Sequence, residues 1–128
     1  MSFTLDASAI LAILLDEPGG DYVYAQLADS QISTVNLSEI YATLIDSGMP
    51  VEEIEAIIDP LPFRIRSFRE PHARQAAQLR PLTKSLGLSL GDRACIAQSI
   101  FNGLPILTAD RRMAEASAPL AIDIRMIR

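Results

Sequence analysis

Short apolar segments alternate with longer segments of helical period along this chain. The short segments are rich in β-branched and aromatic residues, whereas the longer ones repeat apolar residues at intervals of three and four. We predict strands at residues 3–6, 32–35, 63–68, 105–108 and 121–127. This alternation favours an α/β fold in which helices cover a parallel sheet.

Proline and glycine bound most of the predicted helices. We predict helices at residues 8–16, 22–28, 37–46, 71–86, 92–101 and 111–116, and a further one between Pro50 and Pro60. Pro81 should interrupt the helix at 71–86. Residues 63–68 alternate apolar and arginine side chains, which predicts a strand exposed on one side and therefore near a sheet edge.

Length and composition indicate one globular domain spanning residues 1–128, since 49% of the residues are hydrophobic. The apolar stretch at residues 7–15 is too short to span a membrane, and acids flank it, so we expect no membrane segment and a cytoplasmic location. Cys95 is the only cysteine, which excludes an internal disulfide, and we expect it in the core. Together with a single histidine, it argues against structural zinc, so any metal must be held by oxygen.

The charges divide along the chain. Residues 1–63 contain eleven Asp or Glu and no Lys or Arg, whereas residues 64–128 contain all eleven basic residues and five acids. The two parts therefore carry formal charges of −11 and +6, which sum to the net −5. Ten of the eleven cations are arginine, whose planar guanidinium suits contact with phosphate. The second part thus permits a polyanionic substrate.

Four acids follow strands or begin a helix in the predicted order of elements. Asp6 and Asp110 come directly after strands, Glu39 lies four residues past the second strand, and Asp92 begins a helix. The carboxyl ends of parallel strands share one edge, where loops form the binding crevice of an open α/β sheet. Carboxylates gathered there repel one another unless a cation offsets their charge. Oxygen ligands alone favour Mg²⁺ or Mn²⁺, either of which suits phosphodiester hydrolysis.

Each acid also has a purely structural interpretation as a helix cap. Asn36 and Glu39 have the spacing of a capping box, in which Asn36 accepts from the amide of residue 39 and Glu39 reaches back. For any single acid, capping is the simpler explanation. The joint placement of all four favours a functional cluster.

The acids and their neighbours together resemble a known family. The segments are Leu5-Asp6-Ala7-Ser8-Ala9, Ser38-Glu39, Leu90-Gly91-Asp92-Arg93-Ala94 and Leu107-Thr108-Ala109-Asp110. In this order, they resemble the PIN-domain family, and specifically the VapC-type toxins of bacterial and archaeal toxin–antitoxin pairs. The resemblance covers essentially the whole chain.

The resemblance implies a three-layer α/β/α fold with a central, mostly parallel sheet of about five strands. It also implies Mg²⁺- or Mn²⁺-dependent endoribonuclease activity and inhibition by a small antitoxin. Asp6, Glu39, Asp92 and Asp110 match the family's catalytic and metal-binding acids. Ser8 and Thr108 match hydroxyl residues that orient carboxylates or water. Met113 departs from the pattern, since an aromatic residue is common at that position.

Other candidates concern substrate and partners. Arg93, Arg111 and Arg112 adjoin the acids, where they would bind phosphate or pair with a carboxylate, whereas we expect His72 to be an ordinary surface residue. We expect a homodimer, and an antitoxin on the acidic N-terminal helices. A groove for its basic, amphipathic segment would be lined by Tyr22, Tyr24, Ile54 and Ile57.

Two alternatives from other classes remain open on the sequence. A phospho-accepting receiver domain has a similar size and an acidic Mg²⁺ pocket. It resembles this chain poorly, because Asp6 is followed by Ala7 and Lys84 lies in a loop region. A catalytically silent protein-binding domain would use the acids only as caps.

Overall fold

The computed structural model describes residues 1–128 and contains one five-stranded parallel sheet. The strands are β1 (Thr4–Leu5), β2 (Gln31–Ser33), β3 (Arg64–Arg66), β4 (Ile106–Thr108) and β5 (Ile124–Met126), in the order β3-β2-β1-β4-β5. The predicted α/β class, the parallel sheet and its five strands are confirmed.

Nine helices and one 3-10 turn connect the strands. The helices are α1 (Ala7–Leu14), α2 (Gly20–Gln26), α3 (Thr34–Asp46), α4 (Val51–Ile58), α5 (Glu70–Gln78), α6 (Arg80–Thr83), α7 (Leu90–Asn102), α8 (Arg111–Glu115) and α9 (Ser117–Leu120). The 3-10 turn, Leu27–Asp29, follows α2 directly. Pro81 lies in the first turn of α6, where its missing amide hydrogen costs nothing.

Two hydrophobic clusters cover the two faces of the sheet. Leu5 and Leu107 pair across β1 and β4, and both belong to a cluster that includes residues of α1, α3 and α4. Ile106 pairs with Ile124 and belongs to the second cluster, which contains Ile96 of α7. Because successive strand residues point to opposite faces, this division confirms the predicted three layers.

The strand order reverses beside β1. The chain runs outward from β1 to β2 and β3, then returns to add β4 and β5 on the other side. The carboxyl ends of β1 and β4 therefore lie next to each other, with their following loops diverging. Such a point forms a crevice in open α/β sheets, and Asp6 and Asp110 follow these two strands.

Some local predictions are wrong. Val35 lies in α3 rather than in the second strand, because Ser33 Oγ accepts a hydrogen bond from the Val35 amide and begins the helix there. β3 is at the sheet edge as predicted, but all three of its residues are exposed rather than one face only. The chain between α8 and β5 also forms α9, which the sequence pattern did not predict.

No helix is both long and apolar enough to cross a membrane.

Candidate active site

Asp6 lies at the centre of the carboxyl edge of the sheet and caps α1. Its Oδ1 accepts from Ser8 Oγ at 2.6 Å and from the Ala9 amide at 3.1 Å, and its Oδ2 accepts from Thr108 Oγ1 at 2.5 Å. Ser8 and Thr108 therefore both orient this carboxylate, from two different strand-to-helix connections. The side-chain position of Asp6 is fixed by three donors.

Burial controls the acidity of Asp6, whose exposed fraction is 5%. Loss of hydration raises the pKa of Asp6 to about 6, and the nearby charge of Asp92 raises it as well. The hydrogen bonds from Ser8, Thr108 and Ala9 act in the opposite direction because they stabilise the carboxylate. At neutral pH, most Asp6 side chains are therefore ionised while remaining poorly hydrated.

Thr108 links Asp6 to the segment that carries Asp110. Besides donating to Asp6, Thr108 Oγ1 accepts from the Asp110 amide at 2.9 Å, and Ser8 Oγ accepts from the Ala109 amide at 2.8 Å. The Asp110 carboxylate itself caps α8 by accepting from the Arg112 amide at 2.9 Å. The backbone of residues 108–110 is thus held against Asp6, although the Asp110 side chain is engaged with α8.

Glu39 approaches the site from α3 and contacts the start of α7. Asn36, one turn earlier, donates from Nδ2 to Glu39 Oε1 at 2.8 Å and to the Gly91 carbonyl at 3.0 Å. The predicted capping box is wrong, since the Asn36 side chain donates to Glu39 and Ser33 caps the helix instead. Burial raises the pKa of Glu39, and the charge of Asp92 adds to this effect.

Asp92 occupies the first turn of α7, where it forms a capping box with Ser89. Asp92 Oδ2 accepts from the Ser89 amide at 2.8 Å, and the Asp92 amide donates to Ser89 Oγ at 3.2 Å. The Asp92 charge acts on both Asp6 and Glu39. The negative charges of all three acids also act on the fully buried Cys95 thiol, whose pKa is raised mainly by burial.

The structure therefore places Asp92 close enough to Asp6 and Glu39 for its charge to raise the pKa of both. Asp110 joins them through its backbone rather than through its carboxylate. The structural interpretation as caps also holds for three of the four, because Asp6, Asp92 and Asp110 each accept from helix N-terminal or N-cap amides. Capping and clustering coexist at this edge.

The oxygen-rich site fits a partly hydrated divalent cation. No three acidic, histidine or cysteine side chains stand close enough together to enclose a metal ion. Mg²⁺ nevertheless binds proteins through one or two carboxylates and retains several waters. The buried Asn36 Oδ1, which has no hydrogen-bond partner, is a further free oxygen beside Glu39. Asp6, Glu39 and Asp92 are the side chains available for such an ion.

The predicted arginines occupy different environments. Arg93 Nη1 donates to the Ala76 carbonyl of α5 at 3.1 Å, and its Nε is buried without a partner. Arg111 is exposed and forms no ion pair, whereas Arg112 Nε lies 3.8 Å from Asp110 Oδ1. Arg111 is therefore the arginine free to contact a ligand near Asp110.

The proposed partner groove is partly wrong. Tyr22 and Tyr24 are 46% and 58% exposed, but Ile54 is fully buried in the core and Ile57 is only partly exposed. Ile54 faces inward because it packs with the cluster formed by α1, α3 and the sheet. Helices α2 and α4 therefore do not share a groove lined by these four residues.

Gly91 contributes to the site in a way that the sequence pattern did not predict. A β-carbon at Gly91 would lie 2.1 Å from Glu39 Oε2, so only glycine leaves room for this carboxylate. The spacing of three residues correctly paired Asn36 with Glu39, but the contact joins the two side chains rather than the Asn36 side chain and the residue 39 amide. His72 is half-buried between Phe68 and Phe101 rather than free on the surface.

One cavity of about 340 Å³ lies away from these acids. It is lined by residues that precede β4 and β5 and by the end of α7, which places it at the amino-terminal edge of the sheet. The carboxylates occupy the opposite, carboxyl-terminal edge of the sheet.

Solved structures with the same fold include toxin–antitoxin complexes. The chain is similar to one from the DNA-bound VapBC complex of Salmonella typhimurium, with a TM-score of 0.76, 18% identity and coverage of 100% and 99% of the two chains. The chain is also similar to one from a toxin–antitoxin complex of Klebsiella pneumoniae, with a TM-score of 0.73, 15% identity and coverage of 97% and 96% of the two chains. For FitAcB of Neisseria gonorrhoeae, the TM-score is 0.71, the identity is 22% and the coverage is 97% and 96% of the two chains.

No curated protein matches the chain in sequence. The PIN domain family model, however, matches residues 3–119, which include all four predicted acids together with Ser8 and Thr108. The match extends over most of the sheet and over both strand-to-helix connections that hold Asp6. The chain belongs to the PIN domain family.

Proposed function

We propose that this protein is a metal-dependent endoribonuclease that acts as the toxin of a toxin–antitoxin pair. The observation that carries the proposal is the buried Asp6 carboxylate, which two hydroxyl groups orient next to Asp92. Membership of the PIN domain family supports a nuclease, and the shared fold with toxin–antitoxin complexes supports the biological role.

In this proposal, Asp6, Glu39 and Asp92 hold Mg²⁺ or Mn²⁺ partly through the waters that the ion retains, with Asp110 completing the acidic quartet. When bound, the cation would offset the repulsion among the carboxylates and stabilise negative charge on the phosphate under attack and on the leaving oxygen. Ser8 and Thr108 keep Asp6 ionised and correctly oriented through their hydrogen bonds. Arg111, exposed beside Asp110, would bind the substrate phosphate, and Arg93 is a weaker candidate because it contacts α5.

The proposed partners are RNA, a small antitoxin and a second copy of the chain. The antitoxin would dock on the acidic helices α2 and α4, where Tyr24 and the acids of α4 are exposed. Its docking segment would be basic, because residues 1–63 contain no Lys or Arg. A cytoplasmic location follows from this role as part of the same proposal.

The test compares cleavage of total RNA in Mg²⁺ by the parent and by Asp6→Asn and Asp92→Asn. Asp46→Asn is the matched control, because Asp46 is an exposed acid at the end of α3, outside the site. Sequencing of RNA 5′ ends should show new ends with the parent and the control but not with the site variants. Full cleavage by either site variant would refute the mechanism.

A catalytically silent binding domain remains the second candidate, because three of the four acids do cap helices. Measuring thermal stability as Mn²⁺ is added distinguishes the nuclease from the silent binding domain. A true site gives saturable thermal stabilisation that follows RT ln(1 + [L]/Kd), whereas capping carboxylates give none. The receiver-like alternative has no support from the fold family, and acetyl phosphate should leave the chain unlabelled.

A further inference from the structure

Three exposed arginines without ion pairs flank a cluster of aromatic rings after β3. We name this the arginine–aromatic surface, and it consists of Arg64, Arg66, Phe68, Arg69, His72 and Phe101. The ion pairs of the protein involve only Arg74, Arg112, Arg125 and Arg128. Glu70, the nearest acid along the chain, is already paired with Arg74. The surface therefore presents a positive charge that the protein does not neutralise.

The rings of this surface contact one another, and Phe101 is the most exposed of the three. Phe68 and His72 are stacked with centroids 6.2 Å apart, and His72 meets Phe101 edge-on at 4.8 Å. The Arg69 amide donates to His72 Nδ1 at 3.0 Å, which fixes the imidazole at the start of α5. Phe101 is 54% exposed. A rigid ring next to unpaired arginines provides a stacking face for a base and donors for phosphates.

The surface continues towards the candidate active site. Arg66 is paired in register with Ser33, and the Phe68 amide donates to Thr34 Oγ1 at 3.0 Å. Thr34 begins α3, the helix that carries Glu39. Thr34 and Glu39 are five positions apart, so they lie about 7.5 Å apart along the helix axis, roughly the rise of two stacked nucleotides.

We propose that the arginine–aromatic surface binds the part of a single-stranded RNA that runs away from the cleaved bond, a proposal that rests on the proposed nuclease function. The surface extends from Phe68, which contacts Thr34 at the start of α3, to Phe101, which lies about 13 Å from Asp92 along the axis of α7. Arg64 and Arg66 contact successive phosphates from one side of the edge strand, since residues two apart on a strand point the same way. Phe101 stacks on an unpaired base. The surface selects single strands because the bases of a duplex are already stacked on their neighbours.

The experiment measures binding of a fluorescein-labelled single-stranded RNA in EDTA, with an RNA of about ten nucleotides, within the usual site sizes for single strands. The variants are Arg64→Gln/Arg66→Gln and Phe101→Leu. Arg80→Gln/Lys84→Gln is the matched control, because it removes the same charge from exposed cations around α6. Circular dichroism confirms that each variant is folded.

We expect Arg64→Gln/Arg66→Gln to lower the slope of log affinity against log salt by about 1.4, because each lost contact to a single strand removes about 0.7. Phe101→Leu should weaken binding about tenfold without changing this slope, as expected for loss of one stacked base. The Arg80→Gln/Lys84→Gln control should change the slope and the affinity much less than Arg64→Gln/Arg66→Gln does. If Arg64→Gln/Arg66→Gln and Arg80→Gln/Lys84→Gln lowered the affinity and the salt slope equally, the proposal would be overturned, because RNA would then be attracted only by the overall charge.

Two competitors test the identity of the occupant. Single-stranded RNA should outcompete both a duplex of the same sequence and an oligoglutamate of equal charge. If oligoglutamate binds as tightly and Phe101→Leu has no effect, the surface binds acidic protein and the proposal is wrong. Because all binding is measured without metal, these results do not depend on catalysis. Failure of the nuclease assignment would appear instead as unchanged cleavage by Asp92→Asn.

Discussion

Gly91 and Glu39 fit together so closely that a β-carbon on Gly91 would lie 2.1 Å from Glu39 Oε2. Gly91 belongs to the first turn of α7 and Glu39 to α3, so the contact sets the spacing of these two helices at the acidic site. Asn36 spans the same gap, since it donates both to Glu39 Oε1 and to the Gly91 carbonyl. The position of the Glu39 carboxylate thus depends on the space left by Gly91 of α7 and on the hydrogen bond from the side-chain amide of Asn36 of α3.

Gly91→Ala should displace Glu39 without unfolding the protein. The clashing atoms are at the far end of a flexible side chain, and alanine is favoured over glycine within helices by about 1 kcal/mol. We therefore expect an unchanged or slightly higher melting temperature, and Mn²⁺ affinity lowered about tenfold, as for other residues that orient metal ligands. Calorimetric titration with Mn²⁺ measures the affinity.

A double-mutant cycle shows whether the effect of Gly91→Ala passes through Glu39. In a Glu39→Ala background, the added methyl group meets no carboxylate, so Gly91→Ala should cause no further loss of Mn²⁺ affinity. Additive losses would show that the substitution disturbs α7 itself.

Asp6 should make the metal-free protein less stable as pH rises. Its pKa is about 6 in the folded state against an ordinary 3.8, so the folded protein binds this proton more tightly than the unfolded chain does. The associated stability is fully present below pH 3.8 and is lost as pH rises through about 6. A difference of about two pH units corresponds to about 3 kcal/mol.

Asp6→Asn removes this titration and provides the comparison. Unfolding in urea with EDTA, followed between pH 4 and pH 7, should show that the variant gains stability relative to the parent by about 2 kcal/mol across the interval. A constant difference between the two proteins would mean that burial does not penalise the Asp6 charge.

Thr108→Val should raise the pKa of Asp6 further. The substitution keeps the shape of the side chain but removes the donor to Asp6 Oδ2 and the acceptor for the Asp110 amide. Hydrogen bonds to charged groups contribute about 1.5–3 kcal/mol, so we expect a stability loss of about 2 kcal/mol. If Asp6 must be ionised for cleavage, the rise of activity with pH should shift upward by about one unit.

Thr108→Ser separates the hydroxyl from the methyl group. It should lose stability, because the methyl group of this fully buried residue is removed, yet retain the parent's pH profile of RNA cleavage. A shifted profile in the serine variant, or an unshifted one in the valine variant, would contradict the assigned role of the hydroxyl.

The sheet was largely predictable because its strands are short, apolar and separated by helices of clear period. The boundary at Val35 was not, since the residue has a high strand propensity and only the hydrogen bond to Ser33 makes it helical. The exposure of both faces of β3 could not be predicted either. An apolar residue between two arginines, such as Ile65, is expected both in an edge strand with one covered face and in an edge strand with none.

The acids of the site could be located from the sequence, but their partners could not. Asp6 follows a strand whatever its neighbours are, whereas its bond to Thr108 joins residues 102 positions apart and requires knowledge of the strand order. Gly91 is similar, since its role depends on a helix that precedes it by some fifty residues. Short-range spacing identifies ligating groups, and only the fold identifies the groups that position them.

The docking segment of the proposed antitoxin should be basic. Glu52, Glu53 and Glu55 on α4 are exposed and belong to no ion pair, and Tyr24 on α2 is 58% exposed. A partner that covers this surface must neutralise the acids, so its affinity should fall with salt. The buried Ile54 contributes nothing to the contact, and Ile54→Val should change stability rather than binding.

Tyr24→Ser should weaken the complex with the co-purifying small protein about tenfold, as an exposed tyrosine buried in an interface often does. Glu52→Gln/Glu53→Gln should weaken it mainly at low salt, because screening suppresses the contribution of exposed charges at higher ionic strength. Glu115→Gln is the control, since this exposed acid of α8 lies in the second half of the chain and forms no ion pair. Calorimetry at two salt concentrations measures all three. Binding that is insensitive to Tyr24 and to salt, or a docking segment that proves acidic, would place the partner elsewhere, while the carboxylate site and its nuclease test would be unaffected.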